Sequence, residues 1–366
     1  MIDRRRLLAG AITAPTILIR PARAQEPVFV LAWGGYTDQP LLDRFAALTG
    51  ITVVVDNVSS YDEIFLHLRT KIGNQYSVIA PHHGLVKALQ QQQLLQPIDP
   101  NQISHLGEIE PSLAVTDAVV FDSQTWAVPL LFGTTPCIYN TELLPEPPTT
   151  WSDLDSDDFT GKLGMLDDPL GHFYLAGLAV GSTTVPALEP ADFAQASDLL
   201  TDLKRNRVSH FTAYPDDLVT QLSGGKAVIS TTGYEGMTLY KEAAGKLAVA
   251  RLAPHDFSFV QALAIPADAP NPIAAHAFID FMLEKNEQAG LANRTQRGIV
   301  NLGAVPLMDS AVASLTNYAD LHAVLTQSPI LGFPPLATSA SPAATYADWI
   351  VAWDAVRQTT SRARPE

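Results

Sequence analysis

The chain has 366 residues, of which 47% are hydrophobic and 17% charged, and its formal net charge is −15. A chain of this length exceeds what one hydrophobic core usually supports, so two structural lobes are expected. The acidic charge argues against nucleic acid as a partner, because phosphate binding needs clustered Lys and Arg. Cys137 is the single cysteine, so no internal disulfide can form, and we expect it to be a small buried apolar residue.

The N-terminus has the pattern of a cleaved export signal. Three arginines at residues 4–6 precede an apolar stretch at residues 7–19, which is shorter than the roughly 20 residues needed to span a bilayer. Ala-Arg-Ala at residues 22–24 matches a signal-peptidase site, so we expect residues 1–24 to be removed. They hold five Arg and one Asp, so their loss changes the formal charge from −15 to −19. The arginines followed by two leucines resemble a twin-arginine signal, with an ordinary secretory signal as the alternative. Both routes lead to the periplasm.

The first part of the remaining chain alternates strands with helices. A strand is predicted at residues 28–33, followed by a helix with Thr37 or Asp38 as its cap, Pro40 in its first turn and Gly50 as its stop. The next expected elements are a strand at 51–56, a helix at 60–71, a strand at 77–80 and a helix at 85–95. This alternation indicates a parallel sheet with helical crossovers. Ligands bind beyond the carboxyl ends of the strands in such sheets, which points to residues 33–36 and 81–83.

The pattern changes in the middle of the chain. Prolines at 129 and 136 predict a break, and residues 151–164 are polar and turn-rich. A second alternating region covers residues 163–252. A strand at 257–266, a helix at 273–284 and an amphipathic helix at 346–356 are expected after it. After the signal no apolar run is long enough to cross a membrane. No nucleophile elbow, zinc-protease motif, Walker loop or dinucleotide fingerprint occurs, so we expect neither catalysis nor a cofactor.

A series of segments then occurs in a fixed order: residues 32–36 (AWGGY), 94–99 (LLQPID), 126–129 (WAVP), 139–140 (YN), 151–154 (WSDL), 161–163 (GKL), 167–169 (DDP), 263–266 (LAIP) and 275–281 (AHAFIDF). Together they resemble the periplasmic spermidine/putrescine-binding proteins of ABC importers, within family 1 of the extracellular solute-binding proteins. The resemblance implies an α/β, two-lobed type II periplasmic-binding-protein fold, in which each lobe is a mostly parallel sheet flanked by helices and a multi-strand hinge joins the lobes. It implies a first lobe of residues 25–132 and 260–300 and a second of residues 133–259 and 301–366. Crossings between the lobes are expected near 132–135, 253–259 and 299–305.

The same resemblance implies a ligand site in which aromatic rings enclose a methylene chain and carboxylates pair with ammonium groups. The residues expected there are Trp33, Tyr36, His82, His83, Asp168, Tyr234, Glu235, Phe259 and Gln261. Two carboxylate positions of the family are occupied here by Gly171 and Gln261. One ammonium group of a long polyamine would therefore lack a carboxylate partner. This favours a ligand with fewer positive charges or one that also carries a carboxylate.

These features predict a monomeric, non-catalytic solute-binding component of an ABC import system. It would bind a small amine, putrescine-like or a zwitterion such as a γ-amino acid, and deliver it to an inner-membrane permease. A same-fold binder of thiamine or another aromatic or quaternary cation is one alternative. Metal binding is another, for which His82 and His83 are the candidate ligands, although no third ligand stands at a diagnostic spacing. A ferric-ion binder would use paired tyrosines, which are absent from the sequence, and an exported enzyme is the last alternative.

Overall fold

The computed structural model describes residues 26–70, 75–243, 245–336 and 342–362. The predicted export signal at residues 1–24 lies outside the described residues. The strands are β1 (Val28–Trp33), β2 (Val53–Val58), β3 (Val78–Ile79), β4 (Leu95–Gln96), β5 (Val120–Phe121), β6 (Gln124–Thr125), β7 (Ala127–Thr134), β8 (Cys137–Asn140), β9 (Leu163–Leu166), β10 (Val208–Thr212), β11 (Ile229–Ser230), β12 (Leu247–Ala250), β13 (Ser258–Pro266) and β14 (Gly298–Ile299).

The helices are α1 (Gln39–Thr49), α2 (Tyr61–Arg69), α3 (Val86–Gln91), α4 (Thr116–Val119), α5 (Pro169–Ala179), α6 (Pro190–Asn206), α7 (Pro215–Ser223), α8 (Pro272–Leu283), α9 (Lys285–Thr295), α10 (Ser310–Ala313), α11 (Leu321–Gln327) and α12 (Tyr346–Gln358). Short 3-10 turns connect many of them. Within the described ranges, no helix has the length and apolar character needed to cross a bilayer.

Two larger sheets organise the molecule. The first has the order β14-β7-β13-β3-β1-β2, with β4 paired to β13, and the second has the order β10-β9-β11-β8-β12. In the first sheet β1 runs parallel to β2 and β3, whereas β13 is antiparallel to β3 and β7. In the second sheet β9 is parallel to β10 and β11, and β8 is antiparallel to β11 and β12. The predicted parallel arrangement of the first three strands is confirmed. The sheets are mixed and not mostly parallel as expected, because antiparallel strand pairs are at least as numerous as parallel ones in each.

The first sheet is buried on both faces, as its alternating side chains show. Val28, Val30 and Ala32 of β1 pack into one apolar cluster, and Leu31 packs into another. Successive side chains of a strand point to opposite faces, so a strand with apolar residues at consecutive positions can fill two cores. The second sheet has its own cores, and Cys137 at the start of β8 is 2% exposed. Burial raises the pKa of the Cys137 thiol, in agreement with the apolar role expected for it.

Local signals placed α1 correctly, and tertiary pairing changed α3. Asp38 caps α1 by accepting a hydrogen bond from the Leu41 amide, and Gly50 ends it at φ 72°. The helix predicted at residues 85–95 stops instead at Gln91, because the next residues turn and Leu95–Gln96 pairs with β13 as β4. The hydrogen bonds of that pairing replace those that a longer helix would make.

The break predicted at residues 129–136 is confined to residues 135–136, between β7 and β8. Strand β7 runs without interruption through Pro129 and pairs with β13. The register shifts between Gln261 and Ala262, opposite Leu131 and Pro129. Proline has no N–H to donate, and strands accept it where the ladder is irregular. The bulge therefore allows the ring to lie inside a buried strand.

Within the described residues, the chain passes from one sheet to the other at two places, and the position of α12 requires a third passage. Two passages, from β7 to β8 and from β12 to β13, lie close to the expected crossings. The third differs, because residues 302–307 pack against α9 and Leu321 of α11 belongs to the first-sheet core. Trp349 and Trp353 of α12 belong to the second-sheet core. We therefore propose that the third crossing lies just after Gln327, where Ile330 bridges Ser258 of β13, and that residues 301–327 belong to the first lobe.

Candidate ligand-binding site

A cavity of about 850 Å³ lies between the two sheets. The first lobe contributes the segments that follow β1, β2 and β3, together with residues of β13. The second lobe contributes the start of α5, the segment after β11 and the start of α12. The cavity therefore opens at the carboxyl ends of the parallel strands, where α/β sheets bind ligands. Its volume falls in the range of roughly 300–1,000 Å³ that small-molecule sites have.

Aromatic side chains form the first-lobe wall of this cavity. The ring of Trp33 lies edge-to-face with that of Tyr61, with centroids 4.9 Å apart. The indole N–H of Trp33 donates to the carbonyl of Ala80 at 3.1 Å, which holds the ring in place. The Tyr61 hydroxyl accepts a hydrogen bond from Nε2 of Gln261 at 2.8 Å. The wall is thus fixed by contacts that leave apolar ring surface for a ligand.

Three buried polar atoms of cavity-lining residues have no partner among the described residues: Nε2 of His82, Oε1 of Gln261 and Nη1 of Arg297. Buried polar groups in folded proteins are nearly always hydrogen-bonded, so each exception needs a reason. These three atoms around one cavity are groups to which a bound polar solute could hydrogen-bond.

The hydrogen bonds of His82 define its protonation. Nδ1 accepts from the Gly84 amide at 3.0 Å, so the proton of the neutral ring is on Nε2. Burial lowers the pKa of His82 well below its usual range and keeps the ring neutral. His82 therefore offers one N–H donor at the cavity.

The cavity carboxylates differ in how they are compensated. Asp167 pairs with Arg357 at 2.8 Å and accepts the indole N–H of Trp353 at 2.7 Å. Asp168 caps α5 by accepting from the Gly171 amide at 3.0 Å. Neither Asp168 nor Asp62 forms an ion pair within the described parts of the chain. Burial raises the pKa of Asp62, which is the expected direction for a carboxyl that lacks a cation.

The profile of the bacterial extracellular solute-binding protein family matches residues 41–321. The chain belongs to this family. Among its relatives, the chain is 27% identical over 266 residues to the spermidine/putrescine-binding periplasmic protein 1 of Haemophilus influenzae, covering 72% of each chain. It is 24% identical over 326 residues to the spermidine/putrescine-binding periplasmic protein of Escherichia coli, covering 87% of this chain and 91% of that one.

Solved structures agree on the fold. The spermidine/putrescine ABC transporter substrate-binding protein of Streptococcus pneumoniae superimposes with a TM-score of 0.72 at 19% identity, over 91% of this chain and 100% of that chain. The expected two-lobed type II periplasmic-binding-protein fold and the expected resemblance are thereby confirmed for this solute-binding protein.

Of the site residues expected from the sequence, seven line the cavity: Trp33, Tyr36, His82, Asp168, Tyr234, Phe259 and Gln261. Their role in ligand binding stays a prediction. His83 does not line it, because its ring turns into the protein, where Nδ1 lies 3.1 Å from the carbonyl of Val260. Glu235 also lies elsewhere, bonded to Thr134 and paired with Arg251 at 2.6 Å beside a second cavity of about 340 Å³.

The sequence did not point to Tyr61, Arg297, Tyr240 and Tyr346, which also line the cavity. Tyr61 has a sequence signal like that of Trp33, because Tyr61 comes shortly after the carboxyl end of β2 and Trp33 lies at the carboxyl end of β1. Arg297 comes between α9 and β14 and has no local pattern of its own. Its guanidinium lies 3.8 Å from the ring centroid of Tyr234 and 5.6 Å from that of Phe259.

Proposed function

We propose that this protein is the periplasmic solute-binding component of an ABC importer and that it captures a small amine-containing solute between its two lobes. The observation that carries the proposal is the cavity between the sheets, which combines aromatic walls with the unpaired carboxylates of Asp62 and Asp168. A cation over an aromatic ring gains about 0.5–2 kcal/mol. A hydrogen bond to a charged group adds about 1.5–3 kcal/mol.

Delivery would follow from closure of the lobes. A ligand that contacts both lobes binds the closed form more tightly than the open form, so its binding energy shifts the population toward closure. The permease in the inner membrane would then recognise the closed form. Export through the signal at residues 1–24, by the twin-arginine route, and a monomeric state belong to this proposal. The proposal does not include catalysis, since the names of the relatives support a role in transport.

The ligand class rests on the relatives and on the cavity together. Both relatives named above are spermidine/putrescine-binding proteins by name. In this chain Gly171 cannot contribute a carboxylate and Gln261 contributes an amide, which disfavours a long polyamine. We therefore propose a putrescine-sized amine or a zwitterion as the solute.

One alternative has support from the cavity. The rings of Trp33, Tyr61, Tyr234 and Phe259 would also accommodate thiamine or another aromatic or quaternary cation. Metal capture has less support, since no group of three His, Cys, Asp or Glu side chains in the described residues is arranged to hold an ion.

A thermal-shift panel on the purified protein tests the proposal. Putrescine, cadaverine, γ-aminobutyrate, choline, thiamine, maltose and zinc would each be added at increasing concentration. Binding to the folded state alone stabilises it by about 2.7 kcal/mol at a hundredfold excess over Kd, so the correct ligand raises Tm measurably. We expect a rise with a primary amine. A rise with maltose or zinc and with none of the amines would contradict the proposal.

A further inference from the structure

We propose that the solute carries a carboxylate as well as its amine, and that Arg297 binds this carboxylate. The inference rests on the proposed function and specifies its ligand as an ω-amino acid. It comes from a cation in the cavity wall that no group of the described residues neutralises.

The guanidinium of Arg297 is held in place by rings and not by anions. It stacks on Tyr234 at 3.8 Å from the ring centroid, and the hydroxyl of Tyr234 is in turn 2.5 Å from that of Tyr240. No hydrogen bond or ion pair connects Arg297 to any residue that the structure describes, and Nη1 is buried without a partner. A stacked, planar guanidinium with free N–H groups is suited to a planar anion such as a carboxylate.

The other two arginines of the cavity are already satisfied. Arg294 donates to the carbonyls of Gly35 and Tyr36 and lies 3.5 Å from Asp38. Arg357 pairs with Asp167. Arg297 is therefore the one cavity arginine of the described residues whose charge is uncompensated. An unpaired, partly buried charge is costly, and an anionic group on the ligand removes that cost.

Two carboxylates of the cavity also lack a paired cation among the described residues. Asp168 at the start of α5 and Asp62 in α2 form no ion pair with described residues, so both are free to receive an ammonium group. Tyr61 is close enough to Asp168 and Arg297 for both charges to affect its pKa. Burial raises the pKa of Tyr61, the Asp168 carboxylate raises it further, and the Arg297 guanidinium lowers it. A zwitterion would thus place its amine toward Asp168 and its carboxylate toward Arg297, with its methylenes on the aromatic wall. A diamine would place an ammonium beside a free guanidinium, which like-charge repulsion opposes.

Isothermal titration calorimetry of the purified protein with a matched set of ligands tests this inference. Putrescine, γ-aminobutyrate and n-butylamine share a four-carbon chain and differ at one end only, and δ-aminovalerate extends the amino acid by one carbon. We expect the better of the two amino acids to bind at least about tenfold more tightly than putrescine, as one charge-assisted bond predicts. Arg297→Gln should weaken amino acid binding by about 10- to 100-fold and leave putrescine binding unchanged or stronger.

Two further variants separate the role of Arg297 from a general loss of charge or of fold. Arg297→Lys keeps the charge but loses the planar fork, and should bind the amino acid with intermediate affinity. Arg69→Gln is the matched control, since Arg69 also stacks on a ring, that of Phe65 at 5.3 Å, but does not line the cavity. We expect it to bind all ligands as the unchanged protein does. Circular dichroism and Tm show whether each variant is folded.

The outcomes distinguish the two proposals. If putrescine binds as tightly as both amino acids, or if Arg297→Gln is folded and binds the amino acid at full strength, the inference is wrong while the amine-binding function stands. If no amine binds, with or without a carboxylate, the proposed function fails and the inference fails with it.

Discussion

Replacing Asp168 with asparagine separates two roles that this carboxylate has in the structure. Its Oδ1 accepts a hydrogen bond from the Gly171 amide and so caps α5, and its charge faces the cavity without a paired cation. Asparagine keeps an oxygen at the same position, and Asn and Asp are equally good caps. The substitution therefore removes the charge and keeps the cap.

The expected magnitudes follow from these contacts. Loss of the negative charge at the helix N-terminus lowers the free energy of unfolding by about 0.3–1 kcal/mol. Loss of the charge opposite an ammonium group costs about 1.5–3 kcal/mol of binding, or about 10- to 100-fold in Kd. Asp168→Ala loses the cap as well, and should lower stability by about 1 kcal/mol more.

Calorimetric titration with the best amine ligand and urea denaturation measure the two effects separately. Asp320→Asn is the matched control, because Asp320 caps α11 through a bond of the same length, 3.0 Å, to the Ala323 amide and does not line the cavity. It should change stability slightly and Kd not at all. An unchanged Kd for Asp168→Asn would refute the role given to this carboxylate.

Three other predictions concern the position of the Asp168 carboxylate, a buried ion pair and the pH dependence of stability. A Cβ added at Gly171 would lie 2.3 Å from Oδ2 of Asp168, so Gly171→Ala should displace that carboxylate and weaken amine binding, as titration would show. Arg251 pairs with the buried Asp256, so Arg251→Met should lower the free energy of unfolding by about 3–5 kcal/mol, measured by urea denaturation. Adding Asp256→Asn should restore part of the lost stability, because it removes the unpaired buried charge. Burial lowers the pKa of His83 to about 4. Because the unfolded chain binds a proton near pH 6.5 and the folded one does not, stability should fall between pH 6.5 and 4, and His83→Asn should reduce that fall.

Each of these has an outcome that would contradict it. Wild-type affinity in Gly171→Ala would mean that the carboxylate is not where the amine binds. If Asp256→Asn restores no stability to Arg251→Met, the loss of stability comes from lost packing and not from an unpaired Asp256. A pH dependence of unfolding identical in the unchanged protein and in His83→Asn would show that other groups account for acid sensitivity.

The local sequence was sufficient to predict those elements whose boundaries are set by residues within one helical turn or at a strand end. Asp38 and Gly50 bound α1 because a capping side chain and a left-handed glycine act within one turn. Trp33 ends β1 and His82 follows β3, and the carboxyl ends of these two parallel strands meet at one edge of the sheet, so their place at the cavity could be predicted. The order of the segments was enough to predict the family, which the match of the family profile to residues 41–321 confirms.

The tertiary structure decided what depends on contacts between distant residues. Gln261 donates to Tyr61 across 200 positions of sequence, and nothing local to either residue specifies that bond. Glu235 is adjacent to Tyr234 in the chain, yet it pairs with Arg251 away from the cavity, because neighbouring side chains diverge and the nearest cation decides. Arg297 has no motif, and its meaning comes only from what surrounds it, namely rings and no anion. The sequence therefore predicted the solute-binding protein and much of its aromatic wall, and the arrangement of unpaired charges from which we infer the ligand class emerged only from the fold.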